Sequence, residues 1–317
     1  MALKLPVINR LMVLTSATIW GISGVLIHYM VTNDLPAVRI AYYANLSGVL
    51  LIGGGLLVFA RHRLKVGRRL PKLLLLGFIG SGASFVCYSS AIALTGVSLA
   101  TLLTSIQPAW TTLLAARFLG EAIGKRRVVA VAAAFIGSAL VVRVYDPDAI
   151  QANLIGILFG LASGLTYAMY NVFGKLVLTR DHPLTVTAFG FMGGSLLLLP
   201  FQSVPFPTAV TLGAAPWLAI YVVLAVMIGP IMFNAGLRSL PAGVVSLLGT
   251  WELIVAVALG VLLLGESLDL PQAIGALLVG GSMLTLRSDA SAPPSEPVPP
   301  LPVELPGSKA GSLARPT

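Results

Sequence analysis

The sequence predicts an all-α membrane protein of ten transmembrane helices, arranged as two inverted five-helix repeats around a central cavity. Three observations predict it. The 317 residues are 57% apolar and 10% charged, with a mean hydropathy of +0.94, a composition few soluble domains of this length share. Ten apolar stretches of roughly 17–25 residues, each long enough for a bilayer-spanning helix, follow one another along the chain. The stretch TLLTSIQPAWTTLLAARFLGE at 101–121 returns 145 residues later as SLLGTWELIVAVALGVLLLGE at 246–266, which marks an internal repeat.

In the first half the spans lie near 11–31, 38–60, 73–94, 97–119 and 128–144; in the second, near 154–178, 184–204, 216–237, 242–264 and 271–286. The joining loops are short, so consecutive spans run antiparallel. Residues 1–10 form an N-terminal segment, 11–144 the first repeat and 154–287 the second. Span 1 is longer than the apolar region of a cleaved signal and is expected to be retained. Beyond Arg287 the chain turns rich in Ser and Pro, so 288–317 reads as a disordered cytoplasmic tail with no core to bury.

Charge sets the orientation. One side receives Lys4, Arg10, the run from Arg61 to Lys72, the cluster Arg117 and Lys125 to Arg127, then Lys175, Arg180, Arg238 and the tail. That is eighteen of the twenty basic residues; Arg39 and Arg143 alone fall on the other side. Such a bias puts the basic side, and both termini, in the cytoplasm of a multi-pass inner-membrane protein. A nucleic-acid role would want those cations on one folded face with aromatics between them, and they are scattered over short loops. Five spans per half is an odd number, so the second half enters the bilayer upside down relative to the first.

One carboxylate stands inside the apolar run 246–266. Glu252 lies roughly 15 Å from either surface at about 1.5 Å per residue, and a charge there costs at least about 2.5–3.5 kcal/mol. It is therefore expected to face a protein interior or a water-filled cavity, where it binds a substrate cation or carries a coupling proton. A carboxyl hydrogen-bonded to a neighbouring helix, without substrate contact, is the alternative. The 145-residue shift puts Gln107 at the matching place in the first half. Its amide both donates and accepts, to substrate or between helices. Thr104, one turn from Gln107, is a further candidate contact, although Thr in a membrane helix often bonds its own backbone.

Aromatic residues are expected to wall the cavity. Trp20 in span 1 matches Tyr167 in span 6 by a shift near 147, and Tyr88 in span 3 matches Phe233 in span 8 at 145. Asn171, one turn beyond Tyr167, and Asn234 add two amides. Packing against helices or lipid is the alternative for each. As a set they suit an amphipathic or aromatic organic molecule rather than a bare ion. Gly156, Gly160 and Gly164, spaced by four, predict a close helix crossing. Pro230 can break its helix and free a carbonyl towards the cavity, and Glu121 and Glu266 are placed to cap the helices that follow them. His28, His62 and His182 are dispersed and Cys87 is alone, so no metal site, cofactor or internal disulfide is expected. An intramembrane enzyme would need a nucleophile–base pair or a metal cluster at depth, and the mid-membrane inventory holds a single glutamate.

The two five-helix halves, the Trp20-Gly21 pair in span 1, and a polar mid-helix residue followed by FLGE or LLGE resemble the EamA branch of the drug/metabolite transporter superfamily. The resemblance covers residues 11–287. That family's pattern carries Glu-Pro or Gln-Pro midway along spans 4 and 9. Gln107-Pro108 fits it; Glu252-Leu253 departs from it, which leaves the kink expected at Pro108 without a counterpart. The resemblance implies a secondary transporter, most often an exporter of amino acids or related small metabolites, and no enzyme. It also implies a central cavity lined by spans 1, 3, 4, 6, 8 and 9, worked by alternating access, with spans 5 and 10 at the back. Proton-coupled efflux of amphipathic drugs or toxic compounds, and uptake of a metabolite by the same fold, are the alternatives. The expected partners are a small-molecule substrate, the lipid bilayer and protons, and the assembly is a monomer or a homodimer.

Overall fold

A chain immersed in hydrocarbon has to satisfy its backbone polar groups internally, and this one does so with helices. The computed structural model describes residues 4–120, 124–141, 147–201, 212–249, 251–265 and 267–286, and contains no strand among them. Glu121, Arg143, Glu266 and the tail 288–317 lie outside the described residues. In chain order the helices are α1 (Lys4–Thr32), α2 (Ala37–Phe59), α3 (Gly67–Thr95), α4 (Val97–Thr104), α5 (Gln107–Leu119) and α6 (Lys125–Val141). The second half gives α7 (Pro147–Leu178), α8 (Pro183–Leu198), α9 (Ala215–Ser239), α10 (Ala242–Gly249), α11 (Trp251–Leu264) and α12 (Leu270–Leu286).

Among the described residues seven segments are long and apolar enough to cross a membrane: Val7–Thr32, Ala37–Phe59, Gly67–Thr95, Asn153–Leu178, Pro183–Phe201, Ala215–Ser239 and Ala242–Leu264. Of the other three expected spans, the stretch 97–119 is interrupted at Ser105 and Ile106, just before Pro108, whose ring cannot donate to the preceding turn. The expected spans at 128–144 and 271–286 correspond to α6 and α12, each of which runs to the edge of the described residues. The outer faces are apolar: Phe59 is 89% exposed and Leu262 77%. Such surfaces would associate in water and are at home against lipid.

Helix ends recur along the chain. The helix starts at 97 and 125 and the helix end at 119 each reappear 145 residues later, at 242, 270 and 264. Gly120 and Gly265, also 145 apart, both end a helix with positive φ, 67° and 66°, a conformation glycine adopts without a Cβ clash. The wide π turns Phe78–Ala83 in α3 and Val222–Ile228 in α9 fall at matching places as well.

Glycine sets the crossings that shape the interior. A Cβ on Gly160 would meet the Leu103 side chain at 2.6 Å, and one on Gly164 the Thr104 carbonyl at 3.0 Å, so the spaced glycines of α7 seat that helix on α4. Gly77 and Gly193 let α3 and α8 touch backbone to backbone. α6 and α12 pack on one another away from the interior.

At the end that carries the basic loops, the segment after α2 is tied to the α7–α8 connection. Arg69 donates to the Asp181 carboxylate at 2.6 Å, Arg63 reaches both ring nitrogens of His182 at 3.0 and 3.1 Å, and Thr185 donates to the Arg63 carbonyl at 3.2 Å. Asp181 is 6% exposed while Arg69 is 41% exposed, so truncating the arginine strands a buried carboxylate. Arg69→Ala is expected to cost about 1–3 kcal/mol, and Asp181→Asn in the same background to recover part of it. Thermal melting of the single and double variants measures both.

His182 adds a pH dependence. Its Nδ1 accepts from the Leu184 N–H at 3.2 Å, capping α8. Burial first, then the guanidinium groups of Arg63 and Arg238, hold its imidazole below the ordinary histidine range. A depressed value means that the unfolded chain takes up the proton first. The contribution is therefore complete above about pH 6.5, the unperturbed value, and is lost as pH falls below it. Melting curves between pH 5 and 8 on the order of the histidine titration are expected to show this loss in the wild type and its absence in His182→Asn.

Candidate functional site

Six helices converge on one cavity between the halves, enclosing about 810 Å³ of empty space with its open mouth included. Its wall comes from Trp20 and Ser23 on α1, residues 80–89 on α3, Tyr167 and Tyr170 on α7, Thr187 to Phe191 on α8, Tyr221 to Phe233 on α9, and Glu252 on α11.

Trp20 is locked by a chain of local causes. Pro230 has no N–H, and α9 is wound in a π turn over Val222–Ile228, where a carbonyl looks five residues ahead for its donor. The Ala225 carbonyl, five residues before Pro230, takes instead the indole N–H of Trp20 at 3.3 Å. The expected freed carbonyl therefore exists and is already used. A Cβ on Gly229 would stand 2.8 Å from the Trp20 Nε1, and one on Gly21 would stand 2.9 Å from the Glu252 carbonyl. Small residues thus let Trp20 reach α9 and let α1 lie directly on α11. Around Trp20 the rings interlock: Phe233 at 5.0 Å, Tyr167 edge-on at 5.7 Å and 81°, with Tyr167 5.9 Å and Tyr170 6.4 Å from Phe233. Edge-to-face and tilted rings at these spacings are favourable.

Glu252 sits in the first turn of α11, which begins at Trp251, and is 9% exposed. Among the described residues nothing donates to its carboxyl, and its opening is to the cavity. Gln107 is the first residue of α5, after the turn at Ser105 and Ile106; the matching place in the second half includes residue 250, which lies outside the described residues.

The remaining candidates are placed less uniformly. Tyr88 lines the cavity and its hydroxyl is 2.8 Å from the Thr101 hydroxyl on α4. Gln107 is buried behind the wall, with its amide 3.5 Å from the Thr111 hydroxyl. Thr104 donates to the Ala100 carbonyl at 3.0 Å, its own helix. Asn234 is fully buried beneath the floor, where it accepts from Tyr170 and donates to Thr187, each at 2.9 Å. Asn171 is also fully buried, does not line the cavity, and neither atom of its amide has a hydrogen-bond partner.

The lining differs from the one the resemblance implies. Span 4 contributes nothing to it, because Tyr88 covers α4. Span 7, as α8, contributes Thr187, Gly190 and Phe191, brought in by the glycine crossing with α3. Sequence reasoning also missed Ser81, Ser84, Phe85 and Tyr170. The first three and Tyr88 recur at three- and four-residue spacing, a helical stripe visible in the sequence. Among the described residues no three His, Cys, Asp or Glu side chains gather as a metal site.

Comparisons with known proteins show the family. The model of the EamA-like transporter family matches the chain twice, over residues 8–143 and 154–287. An uncharacterized transporter of Archaeoglobus fulgidus is 30% identical over 190 residues, 59% of this chain and 64% of its own length, so the match spans less than two thirds of that relative. Protein PecM of Dickeya dadantii is 29% identical over 85% of this chain and 89% of its own. The pseudopaline exporter CntI of Pseudomonas aeruginosa is 26% identical over 56% of this chain and 61% of its own. A protein crystal structure superposes with a TM-score of 0.66 at 18% identity, covering 89% of this chain and 97% of that one; it speaks for the fold alone.

Proposed function

This chain belongs to the EamA-like transporter family, and from that premise we propose that it is a secondary active transporter moving a small organic metabolite across the cell membrane by alternating access. Membrane transport in general is common to the family and its named relatives. The single observation that carries the finer reading is Glu252: a carboxyl about nine-tenths buried, without a donor among the described residues and open to a ring-lined cavity. A charge held at that depth without a partner serves a transient one.

The proposed architecture is ten spans in two inverted five-helix repeats. The 145-residue recurrence of helix ends supports it, as does one family match in each half. Eighteen basic residues against two support cytoplasmic termini. Export of amino acids or related compounds is the class the resemblance favours, and a relative named as an exporter supports the outward direction. The apolar rings also support efflux of amphipathic compounds by the same cavity.

Reconstitution tests the reading. Proteoliposomes loaded with a metabolite mixture are expected to show saturable counterflow of labelled substrate, which a channel does not give. Linear, non-saturating flux through the purified protein would remove alternating access.

A further inference from the structure

We propose that the cavity binds a singly charged organic amine with an aromatic or apolar body, its ammonium set on the Glu252 carboxylate. The inference rests on the transport reading above and narrows it to one class of substrate. Two features of the wall carry it.

The first is charge. Glu252 is the one charged residue among the residues that form the wall, which include no Lys, Arg or His. A carboxylate in so apolar a site is stabilised by an opposite charge brought to it. The faces of Trp20, Tyr167 and Phe233, within 6 Å of one another, are electron-rich and attract the same cation. An anion would meet Glu252 with no counter-charge anywhere around it.

The second is the direction of the hydrogen bonds. The Trp20 indole N–H is given to the Ala225 carbonyl. Ser23 gives its hydrogen to the Trp20 carbonyl at 2.6 Å, and Ser81 gives its own to the Asn45 side chain at 2.6 Å. Tyr170 donates to Asn234. Each hydroxyl has one hydrogen to give, and on these groups it is spent on the protein. What they turn to the cavity is lone pairs. Such a wall receives N–H donors readily; the hydroxyls of Ser84, Ser89, Tyr167 and Tyr221 fit either sign. An amino acid could place its ammonium on Glu252 but would leave its own carboxylate facing acceptors.

Four indoles that share the ring and differ in the charge of the side chain separate the possibilities: tryptamine (cation), N-acetyltryptamine (neutral), tryptophan (zwitterion) and indole-3-acetate (anion). Thermal stabilisation of the detergent-purified full chain reads binding by linkage. Tryptamine is expected to bind at least about tenfold more tightly than each of the others, and Glu252→Gln is expected to bring tryptamine and N-acetyltryptamine to within about twofold of each other. Tryptophan or indole-3-acetate binding as tightly as tryptamine in the wild type would overturn the proposal. So would the absence of stabilisation by tryptamine up to roughly 10 mM. The wild-type series decides without the variant should the variant fail to fold. Counterflow of labelled tryptamine keeps the two readings apart. Cation-selective binding without flux supports the class and removes transport; flux of a labelled metabolite with no preference among the indoles does the reverse.

Discussion

Glu252→Gln is expected to leave the protein folded and to reduce net transport to background. Glutamine keeps the shape of the side chain and the first turn of α11, and Gly21 still lies against the residue 252 carbonyl, since that contact is to backbone. What disappears is the one carboxyl among the described residues that line the cavity. Concentrative flux measured in proteoliposomes across a pH series is expected to lose both its magnitude and its pH dependence. Size-exclusion behaviour and melting temperature should stay close to those of the wild type. Wild-type flux with wild-type pH dependence in this variant would remove Glu252 from the coupling mechanism and leave it a structural carboxyl.

Phe233→Ala is expected to give the largest loss of stability. Phe233 is 1% exposed and stands between Trp20, Tyr167 and Tyr170. Removing its ring leaves a void that Trp20 and Tyr170, each fixed by a hydrogen bond, cannot move to fill. The cost is about 3 kcal/mol, at the low end for a buried phenylalanine, because lipid rather than water surrounds the bundle. Melting in detergent should fall by several degrees, and Phe233→Leu, which retains most of the volume, should fall less. A melting temperature unchanged in Phe233→Ala would mean that the ring cluster does not hold α1, α7 and α9 together.

The parts of this molecule that could be read from sequence are those where chemistry conflicts with its surroundings. Glu252 announces itself because a carboxylate in an apolar run is costly, and Trp20, Tyr88, Tyr167 and Phe233 were found through the repeat; all five reach the cavity. Depth, however, does not give direction. Gln107, Asn171 and Asn234 are polar at similar depth and are buried in the protein around the cavity, since a helix face is chosen by its neighbours and not by its own composition. The entry of α8 into the wall depends on how closely Gly77 and Gly193 let two backbones approach, which is a property of the pair. The π turn of α9, which decides where Trp20 points, has no recognisable pattern, though Pro230 at its end marks where a carbonyl would lose its partner.

Access to the cavity from the two sides in turn is the centre of this account, and cysteine labelling tests it most directly. In a background with the single cysteine, Cys87, replaced by serine, Ser84→Cys puts a thiol in the cavity wall. Additional cysteines at Arg69 and Asp181, whose side chains meet at the basic-loop end, allow that end to be clamped with a short bifunctional maleimide. Before clamping, a membrane-impermeant thiol reagent is predicted to reach residue 84 from both faces of oriented vesicles. After clamping it should reach residue 84 from the opposite face only, and transport should stop. Labelling from both faces that the clamp leaves unchanged would describe an open pore, and a thiol reached only by lipid-soluble reagents would describe a wall turned to the bilayer; either result would contradict the account.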